Sequence, residues 1–211
     1  MTLVAFDFDG TLSDSEMTVL LGKRKGVADQ MTEITQRAMN DEIGYAESLR
    51  QRAGLLADLS DEDAQAAFDE VELRPGAADL IRTLNDHDVV VAIFTGGFQR
   101  GVKAALEREG VSVDAIVSNR LPVEDGVLTG GVEGPLIEGT KDTALRNYAA
   151  EMEIDVSNTV AVGDGANDLP MLEVAGLSVG FDPKPAVEPA CDVTVTSMDE
   201  LGELLQERGI F

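Results

Sequence analysis

The chain has 211 residues, of which 44% are hydrophobic, and its 40 acidic and 16 basic residues give a formal net charge of −24. This length allows one sizeable core with a smaller inserted unit, whereas the acidity argues against a nucleic-acid partner and the short apolar runs against a membrane span, which indicates a cytoplasmic protein. Together with a scarcity of lysine, the acidity predicts adaptation to a salt-rich cytosol, where the repulsion between carboxylates is screened.

The first predicted element is a buried strand that begins at Leu3 and ends in two carboxylates, Asp7 and Asp9. Apolar residues up to Phe6 are typical of a strand that is covered on both faces. Ionised aspartates cannot remain in such surroundings without a cation or hydrogen-bond donors. The alternative is a surface turn with solvated aspartates, but the aromatic residues that alternate with the acids favour the buried strand.

Helix-forming residues dominate the segment 13–73, which we interpret as a small helical cap inserted into a core made of residues 1–12 and 74–211. Ser60, followed by three acidic residues, predicts the start of a cap helix that ends near Val71. Four glycines are predicted to break the helices of the cap: Gly22, Gly26, Gly44 and Gly54.

Beyond the cap, strand-like and helix-like patterns alternate, which predicts an α/β fold with a parallel, doubly wound sheet. The predicted strands cover residues 89–94, 115–117, 159–162 and 177–180. The predicted helices cover residues 77–85, 99–109, 140–152, 169–175 and 198–208. The Asp125-Gly126 pair predicts the turn of a local hairpin.

Three of the predicted strands end in polar residues. These are Asp7 and Asp9 after the first strand, Thr95-Gly96-Gly97 after the second, and Gly163-Asp164-Gly165-Ala166-Asn167-Asp168 after the third. Because the carboxyl ends of parallel strands share one edge of the sheet, these clusters should meet in a ligand-binding crevice. Carboxylates without a nearby histidine or thiol suit Mg²⁺, which commonly shares its coordination with a substrate phosphate.

The same crevice contains groups that can bind a phosphate and transfer it. The Thr95-Gly96-Gly97 stretch can supply a hydroxyl and amides at a helix N-terminus, and Lys141 can supply a positive charge. Asp7 can then attack phosphorus, while Asp9 can protonate the leaving alcohol and later activate water. Lys141 can also be an ordinary surface lysine, although the scarcity of lysine favours a phosphate role.

Four motifs, in this order, resemble those of the haloacid dehalogenase superfamily: Asp7-Phe8-Asp9-Gly10-Thr11, Thr95-Gly96, Lys141, and Gly163 to Asp168. The resemblance implies a Rossmann-like core, an inserted helical cap, Mg²⁺ as cofactor and a phospho-aspartate intermediate. It implies that Asp7 is the nucleophile and Asp9 the general acid and base. The metal ligands would be Asp7, the carbonyl group of Asp9, and Asp164.

The resemblance also implies roles for the remaining polar residues of the crevice. It places Thr95, Gly96 and Lys141 at the substrate phosphate, with Asn167 and Asp168 in support. Gly10 and Thr95 stand where serine is usual in the phosphoserine phosphatases of this superfamily, but threonine keeps the hydroxyl and glycine keeps its amide.

Further similarity to the phosphoserine phosphatases extends over nearly the whole chain, including Asn119-Arg120-Leu121 and Gly130 to Gly134. It implies hydrolysis of O-phospho-L-serine in serine biosynthesis, with four cap residues in substrate recognition: Glu16, Met39, Tyr45 and Arg52. An anion and a cation in the cap suit the ammonium and carboxylate groups of phosphoserine. Taken alone, the two charged residues fit a helix surface better than a binding site, but their place in the matched pattern favours recognition. Met39 and Tyr45 fit packing and substrate contact equally well.

Other functions remain open at this point. A related small-molecule phosphatase, or a phosphotransferase that passes the phosphoryl group to another alcohol, would use the same residues. A phospho-acceptor signalling domain also uses an aspartate at a strand end, Mg²⁺, a threonine and a lysine. That last alternative gives no reason for the cap or for Asp9.

Overall fold

A parallel sheet forms the centre of the molecule. The computed structural model describes residues 1–40 and 42–211, without the side chain of Met39. In chain order its strands are β1 (Leu3–Phe6), β2 (Val90–Phe98), β3 (Ala115–Asn119), β4 (Val123–Glu124), β5 (Val127–Leu128), β6 (Thr159–Gly163), β7 (Leu177–Phe181) and β8 (Val193–Val195). The main sheet has the parallel order β3-β2-β1-β6-β7-β8, and β4 pairs with β5 in an antiparallel hairpin.

Helices cover both faces of this sheet. They are α1 (Met17–Lys25), α2 (Ala28–Met39), α3 (Tyr45–Gly54), α4 (Asp61–Phe68), α5 (Ala77–Asp86), α6 (Gln99–Glu109), α7 (Lys141–Glu151), α8 (Leu169–Val174) and α9 (Met198–Glu207). Alternate residues of β1 enter different cores: Val4 and Phe6 pack with residues of α5, α6 and α9, whereas Leu3 and Ala5 pack with residues of α7 and α8. The predicted parallel, doubly wound α/β fold is confirmed.

The predicted cap segment contains α1 to α4. The chain leaves and re-enters the core side by side, because the Ser13 hydroxyl donates to the Glu72 carbonyl oxygen at 2.6 Å and the Arg74 N–H donates to that of Leu12 at 2.8 Å. The domain boundaries at residues 13 and 73 remain a prediction. Among the described helices, none is long and apolar enough to cross a membrane.

Helix α4 begins as its sequence predicts. The Ser60 hydroxyl oxygen accepts a hydrogen bond from the Asp63 N–H at 3.0 Å, which caps the helix. The helix ends at Phe68 rather than near Val71. The predicted hairpin turn is also present, with φ of 49° at Asp125 and 78° at Gly126, values that suit a two-residue turn of this kind.

Three further features differ from what the sequence predicts. Gly22 does not break a helix but lies inside α1, where a Cβ would be 2.6 Å from the Met31 sulfur, so glycine lets α1 and α2 pack closely. Strand β2 continues through the Thr95-Gly96-Gly97 stretch to Phe98, with an irregular register against β3. The short edge strand β8 was not predicted from the sequence.

Candidate active site

The two acidic strand ends meet where the strand order reverses, between β1 and β6. Asp7 follows β1, and its backbone N–H donates to the Val162 carbonyl oxygen of β6 at 2.8 Å. Asp164 follows β6 directly and is buried. Ligands of doubly wound sheets bind at this reversal point, so the fold brings the first and third predicted clusters to one crevice.

Lys141 joins two carboxylates in the floor of this crevice. Its ammonium nitrogen lies 2.5 Å from Oδ1 of Asp7 and 2.5 Å from Oδ1 of Asp168, and all three side chains are at most 4% exposed. Oδ2 of Asp168 accepts the backbone N–H groups of Asp164 and Gly165 at 3.0 and 2.9 Å. Asp168 therefore fixes both the lysine and the turn that carries Asp164.

The charges in this floor shift one another's protonation. Burial and the Asp168 charge raise the pKa of Asp7 to about 7, against the opposing effect of Lys141. Burial disfavours the charged form of Lys141, but Asp168 and Asp7 together raise the pKa of Lys141 above its ordinary value. Lys141 thus keeps its charge although it is buried, and this burial shows that it is not an ordinary surface lysine.

Asp9 occupies a different environment from Asp7. Its Oδ1 is buried and, within the part of the chain that the structure describes, has no hydrogen-bond partner. Burial, the Glu16 charge and the Asp7 charge raise the pKa of Asp9 well above its ordinary value. This carboxyl is therefore poised to carry a proton in the crevice, as a general acid must.

Three carboxylates offer oxygens to a metal ion. Ligand atoms of Asp7, Asp164 and Asp168 lie within 4.8 Å of one another. A Cβ at Gly10 would be 2.6 Å from Oδ1 of Asp164, so the glycine lets this carboxylate close over the turn after β1. Lys141 and two amides bond both oxygens of Asp168. The ion pairs with Lys141 and Lys184 use only one oxygen each of Asp7 and Asp164, so these two carboxylates have an oxygen left for a metal ion. This all-oxygen set fits a hard divalent cation.

The predicted phosphate-binding residues line the neighbouring strand β2. Thr95 is 1% exposed, and its hydroxyl oxygen accepts the Gly97 N–H at 2.9 Å. The Gly97 amide is therefore engaged within the molecule, and helix α6 begins at Gln99, two residues after Gly97. The Gly96 amide remains a predicted phosphate donor. Asn167 lies in the turn before α8 with an exposed side chain near Gly165.

The cap residues approach the crevice from the other side. Glu16 precedes α1 and is exposed, and Tyr45, the first residue of α3, is 42% exposed. The Tyr45 hydroxyl oxygen nevertheless occupies the space that a Cβ at Gly96 would need, and burial of this end raises the pKa of Tyr45. Tyr45 thus touches the core at a predicted phosphate-binding residue.

Arg52 on α3 completes the cap side of the crevice. Its guanidinium lies 3.4 Å from both the Ser48 carbonyl oxygen and the Thr18 hydroxyl oxygen. Burial lowers the pKa of Arg52, whereas Tyr45, Glu16 and Asp9 act in the opposite direction. The predicted contact of Met39 lies outside the described side chains.

Sequence reasoning assigned no role to two residues that support this crevice. Asn119 is fully buried, donates to the Gly96 carbonyl oxygen at 3.0 Å, and accepts the Leu136 N–H at 3.2 Å. Lys184 lies 3.0 Å from Oδ2 of Asp164. The sequence contains only indirect signals for them. Asn119 lies in the Asn119-Arg120-Leu121 stretch that resembles the related family, and Lys184 is one of few lysines in the chain.

Comparisons with known proteins give consistent results. The sequence profile of the haloacid dehalogenase-like hydrolases matches residues 4–173. The chain is 54% identical over 210 residues to the phosphoserine phosphatase of Halobacterium salinarum, covering 100% of both chains. A solved structure described as a phospho-aspartyl intermediate analogue of phosphoserine phosphatase is 37% identical, with a TM-score of 0.87 and 98% of each chain covered. A substrate-bound phosphoserine phosphatase complex is 36% identical, with a TM-score of 0.88, and the match covers 98% of this chain and 97% of that one.

Proposed function

We propose that this chain, which belongs to the haloacid dehalogenase-like hydrolase family, hydrolyses O-phospho-L-serine to L-serine and phosphate through an aspartyl-phosphate on Asp7. The relatives named phosphoserine phosphatase support the substrate, and the crevice supports the chemistry. The enzyme would act in the cytoplasm, in serine biosynthesis, with Mg²⁺ as its cofactor.

The observation that carries the mechanism is the contrast between Asp7 and Asp9. Asp7 is paired with the buried Lys141 at 2.5 Å, which stabilises its ionised form and holds one oxygen in place. Asp9 lacks such a cation, and its Oδ1 is buried without a partner among the described residues. Neighbouring carboxyls in environments this different can divide the roles of nucleophile and acid.

In the first step, a carboxylate oxygen of Asp7 attacks phosphorus and the phosphorus–oxygen bond to the serine side chain breaks. The proton of Asp9 passes to the departing serine oxygen, which leaves as an alcohol. In the second step, Asp9 takes a proton from water, whose oxygen attacks phosphorus. The bond to Asp7 then breaks, and both carboxyls return to their initial states.

Several residues would hold the phosphoryl group during these steps. Lys141 supplies fixed positive charge, and the Thr95 hydroxyl keeps its own hydrogen for donation, since its oxygen accepts from Gly97. Asp7, Asp164 and the carbonyl group of Asp9 would bind Mg²⁺, with Asp168 in support. A bound Mg²⁺ supplies charge neutralisation that lets a carboxylate approach an anionic phosphate.

The cap would recognise the amino-acid part of the substrate. Arg52 and Glu16 offer the cation and anion that match the carboxylate and ammonium of phosphoserine. Arg52 is weakly held at 3.4 Å from its neighbours, so it has donors left for a substrate. Tyr45 reaches Gly96 from the cap, and closure of this segment would exclude water from the phosphoryl group.

The direct test is release of inorganic phosphate from a panel of phosphomonoesters, each assayed with Mg²⁺ and with a chelator. Phosphoserine should be hydrolysed with the highest kcat/KM, and chelation should abolish turnover. Added alcohols should not accept the phosphoryl group, which separates a hydrolase from a phosphotransferase. Equal activity on phosphoserine and on an aryl phosphate would contradict the proposed substrate.

A further inference from the structure

Lys184 lies at the solvent edge of the acidic cluster and has no role in the proposed mechanism. Its ammonium nitrogen is 3.0 Å from Oδ2 of Asp164, and its backbone N–H donates to the Asp164 carbonyl oxygen at 2.9 Å. The two residues are therefore connected through both main chain and side chain. Such a double connection is more than a chance encounter of surface charges.

The segment after β7 holds Lys184 in this position. Asp182 has a φ of 42°, and its N–H donates to the Val195 carbonyl oxygen of β8 at 2.8 Å. The carbonyl oxygen of Lys184 accepts the N–H of Val187 at 2.8 Å. Prolines at positions 183 and 185 restrict the backbone on either side. The main chain of Lys184 is thus fixed, and its side chain has a short path to Asp164.

The charges of the crevice show what this lysine contributes. Three carboxylates cluster at the predicted metal position, and Lys141 bonds two of them from inside the protein. Lys184 pairs with the carboxylate of Asp164, which Lys141 does not reach, and remains 56% exposed. A fixed positive charge beside such a cluster repels a cation and attracts an anion, and this effect needs no direct contact with either.

We propose that Lys184 is a positioning residue that acts through Asp164 to set the charge balance of the site, weakening divalent-cation binding and strengthening phosphate binding. The inference rests on the proposed function, in which Asp164 binds the metal. Lys184 would oppose excessive retention of the cation and favour occupancy by the anionic substrate and product. These two effects have opposite signs, which distinguishes them from a loss of structure.

The test compares K184M with K184R, which keeps the charge, and with K103M. Lys103 is exposed on α6, so K103M makes the same change in net charge away from the crevice. Calorimetric titration would measure the Kd of Mg²⁺ alone, and then the Kd of inorganic phosphate at saturating Mg²⁺. All proteins would be compared at the same KCl concentration, first in dilute buffer and then in molar KCl, with circular dichroism to verify folding.

K184M should bind Mg²⁺ roughly three- to tenfold more tightly and phosphate more weakly by a similar factor, with both changes smaller in molar KCl. K184R and K103M should resemble the wild type. Weaker binding of both ligands by K184M, no change in either, or equal changes in K103M would overturn the inference alone. Wild-type protein that binds no Mg²⁺ would overturn the proposed function, and the inference with it.

Discussion

The core and cap sides of the crevice are held in very different ways. In the core, Asp7, Lys141 and Asp168 are at most 4% exposed and are joined by bonds of 2.5 Å. In the cap, Tyr45 is 42% exposed, and Arg52 has neighbours only at 3.4 Å among the contacts described. The core side is built in advance of the substrate, whereas the cap side retains unused hydrogen-bonding capacity.

This difference indicates a division of labour. Groups that stabilise developing charge act best when they are already oriented, because no reorganisation is then needed during the reaction. Groups that recognise the leaving alcohol can be looser, since binding of the substrate supplies the missing partners. We therefore expect core substitutions to affect every substrate, and cap substitutions to affect mainly the substrate that carries an amino acid.

The largest effect should come from D7N, which removes the nucleophile on the core side. An amide is a poor nucleophile and a weaker metal ligand than a carboxylate, so kcat should fall on the order of 10⁴-fold for all substrates. Steady-state assays with phosphoserine and an aryl phosphate would measure this loss. Phosphate labelling or beryllofluoride trapping of the wild type should map to Asp7. Near wild-type turnover by a folded D7N variant would rule out the covalent mechanism.

The next effect concerns the cap and tests its selectivity. Losing one member of a desolvated charge pair costs about 2–5 kcal/mol, so R52A or E16Q should lower kcat/KM for phosphoserine by about 30-fold or more. Activity on an aryl phosphate, which has neither charged group, should change much less. R50A is the matched control. Arg50 lies on the same helix as Arg52, but its side chain is exposed and pairs with Glu138, which lies outside that helix.

Two results would remove the proposed role of these cap residues. If R52A lost activity equally on both substrates while remaining folded, Arg52 would support the site rather than read the amino acid. If R50A and R52A behaved alike, the effect would belong to the helix and not to a particular guanidinium. Either outcome would leave the core chemistry intact and the substrate unassigned.

The same contrast explains what the sequence could predict. The apolar run that ends at Asp7 indicated both a strand and a charged site, because burial and strand ends leave clear local patterns. Membership of the haloacid dehalogenase-like hydrolases, implied by the four motifs, is confirmed. The acidic composition also agrees with the similarity to a Halobacterium salinarum protein.

Features that depend on distant contacts were not accessible in this way. Gly22 was predicted to break a helix, but glycine is needed there because the Met31 side chain of the next helix packs against it. The local sequence does not contain that contact. Strand β8 has three residues, and only its pairing with β7 identifies it. Lys184 reaches Asp164 through a loop whose path a local pattern does not contain. The raised pKa of Asp9 likewise depends on burial by the assembled crevice.

A third, smaller effect concerns the stability of the metal-free protein. The pKa of Asp7 rises from 3.8 to about 7 on folding, chiefly because burial disfavours the charged form. A group with a raised pKa stabilises the fold fully below its unfolded pKa and loses that contribution as pH rises through its folded pKa. The amide side chain in D7N would not titrate, so the stability of D7N relative to the wild type should increase between pH 4 and 7, by about 1.4 kcal/mol per pKa unit.

Urea unfolding in the presence of a chelator, at fixed KCl and a series of pH values, would measure this difference. D14N is the matched control, because it makes the same chemical change at an exposed residue outside the buried cluster. Parallel curves for D7N and the wild type would show that Asp7 titrates normally. The free-energy cost of ionising Asp7 in the buried core would then be smaller than the geometry indicates.

The smallest predicted effect, on hydrogen exchange, tests which helices of the predicted cap stay with the core and which move when the substrate binds. Helix α4 lies in the predicted cap, yet the Asp61 N–H donates to the Gly126 carbonyl oxygen at 2.9 Å, and the Leu128 N–H donates to that of Leu59 at 2.8 Å. Helix α2, in contrast, packs mainly on α1 and α3. We therefore expect α4 to remain with the core while α2 and α3 move with the substrate.

Arg100 provides the test, because it connects α6 of the core to α4. Its guanidinium lies 2.5 Å from Oδ1 of Asp61 and 5.2 Å from the centre of the Phe68 ring. Since this pair is partly exposed, R100M should lower the free energy of unfolding by only about 1 kcal/mol.

Hydrogen exchange should be slower in α4 than in α2 and α3 of the wild type, and R100M should accelerate exchange in α4 alone. R82M, which removes an exposed pair with Asp79 on α5, should leave α4 unchanged. Equal exchange in α3 and α4 of the wild type would mean that α4 belongs with the rest of the predicted cap and not with the core.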